Sequence, residues 1–336
     1  MTNWGLIGLG KIAQVRIAPA FARSPTEHLV AVAGRDPART AAFAAQHSAA
    51  PQTIAGLLAD PTITAVYIAA ANDLHAEYTI AAAAAGKHVL CEKPLARTLD
   101  EAEAMVDACR SAGVLLGTAF MMRFHPLHRQ VHDLIAGGAI GTPLQARVQN
   151  GFGLQPQRQT WRVDRRASGG GPLMDVGSHA VDLLCYVTGA RVTEVGAFTG
   201  RQVLPGDAED AAVVNLVLDT GLLAQVNVAF NTPFSRTSLE IHGTLGSLVT
   251  SGTLGQVAAG EAQLVTAAGT QPLTYVPCDL YQAELEAFGQ AVRGAAPLAI
   301  TGTAGLENLR VLRAAYRSSY WGGSATLPAD PDTPEA

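Results

Sequence analysis

The chain has 336 residues, long enough for two domains of roughly 100–200 residues each. Its 48% hydrophobic and 15% charged content describes a folded chain with a sizeable core and excludes a disordered one. The net charge of −5 offers no basic surface for nucleic acid and no polybasic membrane patch, and no apolar stretch approaches the ~18–20 residues that span a bilayer.

Residues 3–8, NWGLIG, are short and apolar and end in glycine, which predicts a buried strand. A helix is expected over 11–22, a strand over 28–33 and a helix over 37–46. Then come a strand at 65–69, an alanine-rich helix at 75–85, a strand at 88–91, a helix at 99–111 and a strand at 114–119. Strands alternating with helices over this length argue for a parallel sheet covered on both faces. The pattern changes after Phe120. Strands are expected at 145–152, 192–199, 211–218, 222–230, 237–243 and 247–251, punctuated by turn signals such as Asp219-Thr220-Gly221 and Gly243-Thr244-Leu245-Gly246. They predict a mainly antiparallel sheet. Helices at 281–293 and 303–320 close the chain, followed by a frayed tail, LPADPDTPEA. The expected fold is α/β: a doubly wound parallel sheet over 1–120, an α+β domain with an open, mainly antiparallel sheet over 121–326, and a flexible tail over 327–336.

Cys91, Cys109, Cys185 and Cys278 are scattered without metal-site spacing, so no metal is expected. The opening MTNWGLIG has no basic leader and runs straight into a strand. The chain therefore reads as cytoplasmic, with reduced thiols and neither nucleic acid nor membrane as partner.

Gly8-Leu9-Gly10-Lys11-Ile12-Ala13 is G-x-G-x-x-A between a strand and a helix, the context a dinucleotide loop requires. Gly8 permits the tight turn. Gly10 lets main-chain N–H groups approach a pyrophosphate at the helix N-terminus, and Ala13 keeps helix and strand close. Read blandly, it is an ordinary strand–helix turn. The end of the second strand selects the cofactor: an acidic residue there would hold the ribose hydroxyl of NAD, and an arginine would suit a 2′-phosphate. Here the sequence is Gly34-Arg35-Asp36-Pro37-Ala38-Arg39. Gly34 carries no charge, and Asp36 reads as a helix cap ahead of Pro37. Arg35 and Arg39 favour NADP(H), with NAD(H) possible, unless both are only solvated surface charges.

Cys91-Glu92-Lys93-Pro94-Leu95 raises the next question. Lys93 is either a loop lysine reaching water or a cation held at a strand end, where ligands of a doubly wound sheet lie. A cis bond to Pro94 would turn the chain there and aim the ammonium over a nicotinamide, where it would polarise a carbonyl. Asn72 and His75 follow another strand end. Asn72 could reach the nicotinamide ribose, or Asn72 or Asp73 could cap the next helix. The last cluster follows Gly169-Gly170-Gly171. Read as a helix, Val176, Ala180, Leu183, Leu184 and Val187 form a core stripe, with Asp175, His179 and Asp182 on the other face. That row suits an acid/base histidine flanked by carboxylates, or a merely solvated polar face.

Through these clusters together, the chain resembles the glucose–fructose oxidoreductase / inositol dehydrogenase family over nearly its whole length. The likeness runs through GLIGLGKIA, NDLHAEYTIAAAAAGKHVLCEKPLA, GGGPLMDVGSHAVDLL and EIHGTLGSL. Within the family it is nearest the 1,5-anhydro-D-fructose reductase branch, through WGLIG, Trp161-Arg162 and Asp279-Leu280-Tyr281. The phosphate loop Leu9-Gly10-Lys11 and the Gly34-Arg35 pair depart from that branch. The resemblance implies an NADP(H)- or NAD(H)-dependent oxidoreductase acting on a sugar or polyol. It implies a Lys93–Asp175–His179 catalytic set between the domains, with Lys93 or His179 transferring the proton. Gly8, Leu9, Gly10, Lys11, Ile12, Gly34, Arg35, Arg39, Asn72, His75, Glu92 and Lys93 would bind cofactor. Arg123, Trp161, Arg162, Asp175, His179 and Tyr281 would bind substrate. The open sheet would build a homo-oligomer, a dimer or tetramer. Two other readings stay open: a dinucleotide-binding regulator without turnover, and a glycosidase that uses bound NAD.

Overall fold

The first apolar run forms strand β1 (Thr2–Ile7) of a computed structural model that describes residues 1–159 and 161–327. The expected tail therefore lies outside the described residues, Leu327 apart. The chain divides into two units, Met1–Met121 with Asp279–Leu306, and Met122–Cys278 with the chain from Glu307 onward.

In the first unit β1 is joined by β2 (Glu27–Ala33), β3 (Ala50–Gln52), β4 (Ala65–Ile68), β5 (His88–Glu92) and β6 (Leu116–Ala119). All pair in parallel, in the order β3-β2-β1-β4-β5-β6. Every residue of β4 is buried, as a sheet covered on both faces demands. Helix Pro37–Gln46 starts where its cap dictates: Asp36 accepts from the main-chain N–H groups of Ala38 and Arg39, with Pro37 in the first position. Helix Leu99–Ser111 opens on a reciprocal capping box of Thr98 and Glu101. Neither β3 nor helix Ile54–Ala59 is among the expected elements. The strand is a three-residue edge containing Pro51, where no periodicity can register.

Helix Leu280–Val292, expected in the second domain, belongs to the first unit. Phe288 packs on Trp4 with ring centroids 5.4 Å apart, and Asp279 pairs with Arg23. Glu27 is fully buried and accepts from Trp4 Nε1 at 2.9 Å, Thr26 Oγ1 at 2.8 Å and Arg293 Nη1 at 2.7 Å. Periodicity showed that this helix has an apolar face; it could not show that the face meets β1, almost three hundred residues earlier.

The second unit is built on β7 (Pro143–Gly151), β8 (Val192–Gly200), β9 (Ala211–Leu218), β10 (Leu223–Ala229), β11 (Ser238–Gly243), β12 (Gly246–Ser251), β13 (Glu261–Thr266), β14 (Gly269–Pro272) and β15 (Ser324–Thr326). Their order is β14-β13-β12-β11-β7-β10-β9-β8-β15, antiparallel except for β7 beside β10. Alternation is clean in β9, where Ala212, Val214, Leu216 and Leu218 are buried. Helix Ser178–Thr188 packs on this sheet, preceded by the unpredicted helix Pro126–Ala136, which packs against it. The other sheet face stays open, with Leu144, Phe198, Val213 and Leu223 exposed. Among the described residues no helix is long and apolar enough to cross a membrane.

Candidate active site

The strand order reverses between β1 and β4, and there the loops at the C-terminal ends of β1, β4 and β5 lie side by side on one edge of the sheet. This is the ligand edge of an open parallel sheet. Gly8 leaves β1 with φ +95, and a Cβ there would come within 2.5 Å of the Ala70 nitrogen. Its own N–H donates to the Ala33 carbonyl at 3.0 Å. Only glycine allows this turn. At Gly10 the opposite holds: a Cβ would meet nothing nearer than the Ala69 oxygen at 4.0 Å, so the space over the loop is open. Chain 11–23 then turns helical, with a π-helical segment at Ala13–Ile17; the Gln14 N–H donates to the Gly10 carbonyl at 3.1 Å, so the first N–H groups of the helix are those from Gly10 to Ala13. These residues fit a dinucleotide pyrophosphate, which the main-chain N–H groups and the helix end would hold.

The adenine side is electropositive. Arg39 Nη2 donates to the Leu9 carbonyl at 2.6 Å, which draws its guanidinium back over the phosphate loop. Arg35 is exposed beside it, and a Cβ on Gly34 would sit 3.1 Å from Thr40 Oγ1. Asn72 is buried in a short turn, and neither it nor Asp73 caps helix His75–Ala84, whose cap residue Leu74 makes no side-chain bond.

His75 is enclosed between two loops. It is fully buried, with Nδ1 3.0 Å from the Pro94 carbonyl and Nε2 3.3 Å from that of Ala70. Burial holds its pKa below the ordinary value, against the pull of those carbonyls. It therefore ties the β4 and β5 loops together. Glu92 Oε1 accepts from the buried Tyr67 hydroxyl at 2.9 Å, and Oε2 accepts from the Lys93 N–H at 3.2 Å. Lys93 is half-buried, and its peptide to Pro94 is cis. Tyr281, expected among the substrate residues, is buried in the first unit, where burial and then Glu92 and Glu284 push its hydroxyl pKa up. Tyr67 was not anticipated, because nothing local marks a buried tyrosine as a support.

In the second unit the predicted helix begins one step differently. Leu173–Gly177 forms a π-turn that runs into helix Ser178–Thr188, so the 3.6-residue register assumed from the sequence does not hold across Asp175 and His179. Asp175 is half-buried and lies 3.5 Å from Arg162 Nε, whose guanidinium stands 4.5 Å over the Trp161 ring. These three predicted residues thus form one group. His179 is buried two residues past the π-turn, and the Ser178 hydroxyl donates to the Asp175 carbonyl at 2.8 Å.

Asp182 does not serve as a flanking carboxylate. It is buried and bidentate to Arg123, with contacts of 2.6 and 3.0 Å, while the arginine stacks 5.3 Å over Tyr186. Burial pushes the Asp182 carboxyl pKa up and Arg123 holds it back. Arg123, expected against substrate, is thereby committed to the interior of the fold. Of the two readings of this row, the solvated polar face does not hold: His179, Asp182 and the apolar stripe are all enclosed.

Comparison with known proteins fits this arrangement. Residues 2–120 match the oxidoreductase family with an NAD-binding Rossmann fold, and residues 128–249 match the GFO/IDH/MocA C-terminal domain. The 1,5-anhydro-D-fructose reductase of Ensifer adhaerens is 36% identical over 97% of this chain and 99% of its own. The D-xylose 1-dehydrogenase (NADP(+)) 2 of Haloferax volcanii is 33% identical over 96% and 99%. The crystal structure of the aldose-aldose oxidoreductase from Caulobacter crescentus, complexed with glycerol, superposes with a TM-score of 0.90 at 26% identity, covering 97% of this chain and 99% of that one. The two family matches, taken with the glycine loop and the doubly wound sheet that carries it, establish that this chain belongs to the GFO/IDH/MocA family of nicotinamide-dinucleotide-binding oxidoreductases.

Proposed function

We propose that this protein is an NADP(H)-dependent oxidoreductase that moves hydride between nicotinamide and a sugar or sugar-derived carbonyl or alcohol, with NAD(H) as the weaker cofactor. The observation that carries the reading is the position of Lys93 on the ligand edge of the first sheet, separated from the β1 glycine loop only by β4. Arg39 at the mouth of that loop, and the lack of an acidic side chain at Gly34, support NADP(H). The relatives named as an anhydrofructose reductase and an NADP(+)-using xylose dehydrogenase support the substrate class.

The bound dinucleotide supplies the ring carbon that gives or takes hydride. In the reducing direction the Lys93 ammonium polarises the substrate carbonyl and stabilises charge on its oxygen. Glu92 holds the Lys93 main chain, and Tyr67 fixes Glu92. His179 gives a proton to that oxygen, and Asp175, with Arg162 beside it, orients the imidazole or grips a substrate hydroxyl. Trp161 offers the apolar face that a sugar ring needs. Two or four copies join through the open sheet face around Leu144, Phe198, Val213 and Leu223. Light scattering that reads a single copy at working concentration would remove that assembly. We place the protein in the cytoplasm, in keeping with four cysteines that are thiols.

The test is turnover of 1,5-anhydro-D-fructose, inositols and common aldoses or their alcohols with NADPH or NADH and the oxidised forms, followed by nicotinamide absorbance. Lys93→Ala should lower kcat by about 10²–10³-fold with NADPH binding retained. Near-normal turnover in that variant takes the lysine out of the mechanism. No turnover of any sugar, with intact NADPH binding, points to a regulator instead.

A further inference from the structure

The triple glycine has no part in the chemistry above, yet the structure shows what demands it. A Cβ on Gly170 would collide with the Tyr316 hydroxyl, and one on Gly171 with the main-chain oxygen of Glu209. Two residues from distant parts of the chain are pressed against this turn. Glu209 stands just before β9, and Tyr316 lies on helix Gly302–Trp321. One carboxylate oxygen, Glu209 Oε1, accepts from the Gly171 N–H at 2.9 Å, the Leu173 N–H at 3.2 Å and the Tyr316 hydroxyl at 2.6 Å. Leu173 is the first residue of the π-turn that carries Asp175 and leads into His179.

The first N–H groups of a helix have no partner inside it. Pro172 occupies the cap position and makes no side-chain bond. Glu209 supplies the missing acceptor from outside, and its charge lies at the positive end of the helical turn. Tyr316 braces it in turn, with Arg165 and Arg313 standing 5.5 and 5.7 Å over its ring. Arg165 belongs to the short helix Arg165–Ser168, three residues past the Arg162 that reaches Asp175. The same strut thus touches both the turn bearing the acid/base residues and the segment that orients Asp175.

We propose that Glu209 and Tyr316 are positioning residues: their hydrogen bonds to the triple-glycine turn set the orientation of Asp175 and His179, and the rate of proton transfer depends on them although neither touches substrate. This rests on the reading that His179 acts in the reaction. The variants are Glu209→Ala, Glu209→Gln and Tyr316→Phe, with His179→Ala as reference. Amide hydrogen exchange over 169–179 reads the turn directly. Steady-state kinetics with NADPH and 1,5-anhydro-D-fructose read the consequence.

In Glu209→Ala, exchange at Gly171 and Leu173 should rise by on the order of tenfold, and kcat should fall by roughly 10–100-fold with KM for NADPH unchanged. Tyr316→Phe should move both in the same direction by less. Glu209→Gln should recover most of both, because its amide oxygen still accepts the two N–H groups. Tyr316→Phe removes one hydroxyl only and keeps the test open should Glu209→Ala fail to fold. Unchanged exchange at this turn in the folded variants overturns the proposal, whatever the kinetics. Faster exchange spread evenly over 122–278, with kcat tracking the folded fraction, overturns it too, since the pair would then be merely structural. Full turnover in His179→Ala would count against the acid/base reading, and the exchange data would still decide the strut.

Discussion

In the first unit, the loops on the ligand edge are held mostly through main-chain atoms: the Gly8 N–H by the Ala33 carbonyl, the Leu9 carbonyl by Arg39, and the carbonyls of Ala70 and Pro94 by His75. In the second unit the candidate groups are side chains held by other side chains: Asp175 by Arg162, Asp182 by Arg123, and the turn before them by Glu209 and Tyr316. The difference teaches how each site responds to mutation. A main-chain site depends on a few residues whose backbone freedom cannot be replaced. A side-chain site depends on partners that can be exchanged in pairs.

The largest effect we expect tests the second half of that statement. Arg123→Leu strands a carboxylate that is nearly inaccessible to solvent, and breaking a buried pair from one side costs about 3–5 kcal/mol. Adding Asp182→Leu should return most of that loss, because two apolar side chains of similar volume leave no charge unpaired. Denaturant melts of the single and double variants measure it. A double variant no more stable than the single would mean that the pair is not independently replaceable, and the contrast between the units would weaken.

Gly8→Ala tests the first half. Its φ of +95 and the 2.5 Å approach to the Ala70 nitrogen put strain of about 1–3 kcal/mol on the loop, and the obstructing atoms are backbone, so no second side-chain change relieves it. The thermal shift on adding NADPH should disappear with it, since ligand stabilisation follows affinity. A preserved shift would show that the cradle does not depend on this turn.

The same contrast explains what was legible in the sequence. The glycine loop, the Asp36 cap and the Glu92-Lys93-Pro94 strand end are local patterns, and the parallel sheet, its short edge strand β3 apart, follows from alternation of strand and helix. Asp175 and Arg162 could be picked from neighbouring motifs, and they do meet. The burial of His75 and Tyr281 could not be read, because a polar residue near a motif looks the same in sequence whether it is open or enclosed. Asp182 was assigned by helical spacing, but a π-turn precedes it and Arg123, 59 residues away, claims it. Glu209 and Tyr316 carry no local signal. The triple glycine was their trace, visible but unreadable until the atoms that crowd it were known.

The smallest expected effect is an acid response of the second unit. His128 is fully buried, and its Nδ1 donates to the Met122 carbonyl at 2.8 Å. Burial, reinforced by the neighbouring His125, lowers its pKa from 6.5 to about 3. The unfolded chain takes up a proton below its ordinary pKa, whereas the folded one does not until far lower. Between the two values the unfolded state binds more protons, so the contribution of His128 is fully present above pH 6.5 and is lost as pH falls toward 3. Asp182 and Glu209 run the other way, since burial raises their carboxyl pKa values and lower pH favours their folded forms. Both carboxyls are common to the parent and to a variant at position 128, so the difference between those two proteins isolates the imidazole, and pH 6 lies just below its unfolded pKa. There a single histidine of this kind costs about 1 kcal/mol relative to neutral pH. His128→Asn keeps a donor for the Met122 carbonyl and removes the titration, so its stability should change less between pH 7.5 and pH 6 than that of the parent. Equal changes in the two proteins would mean that the buried imidazole does not set this slope. The acid sensitivity of the side-chain-built unit would then have to come from its ion pairs.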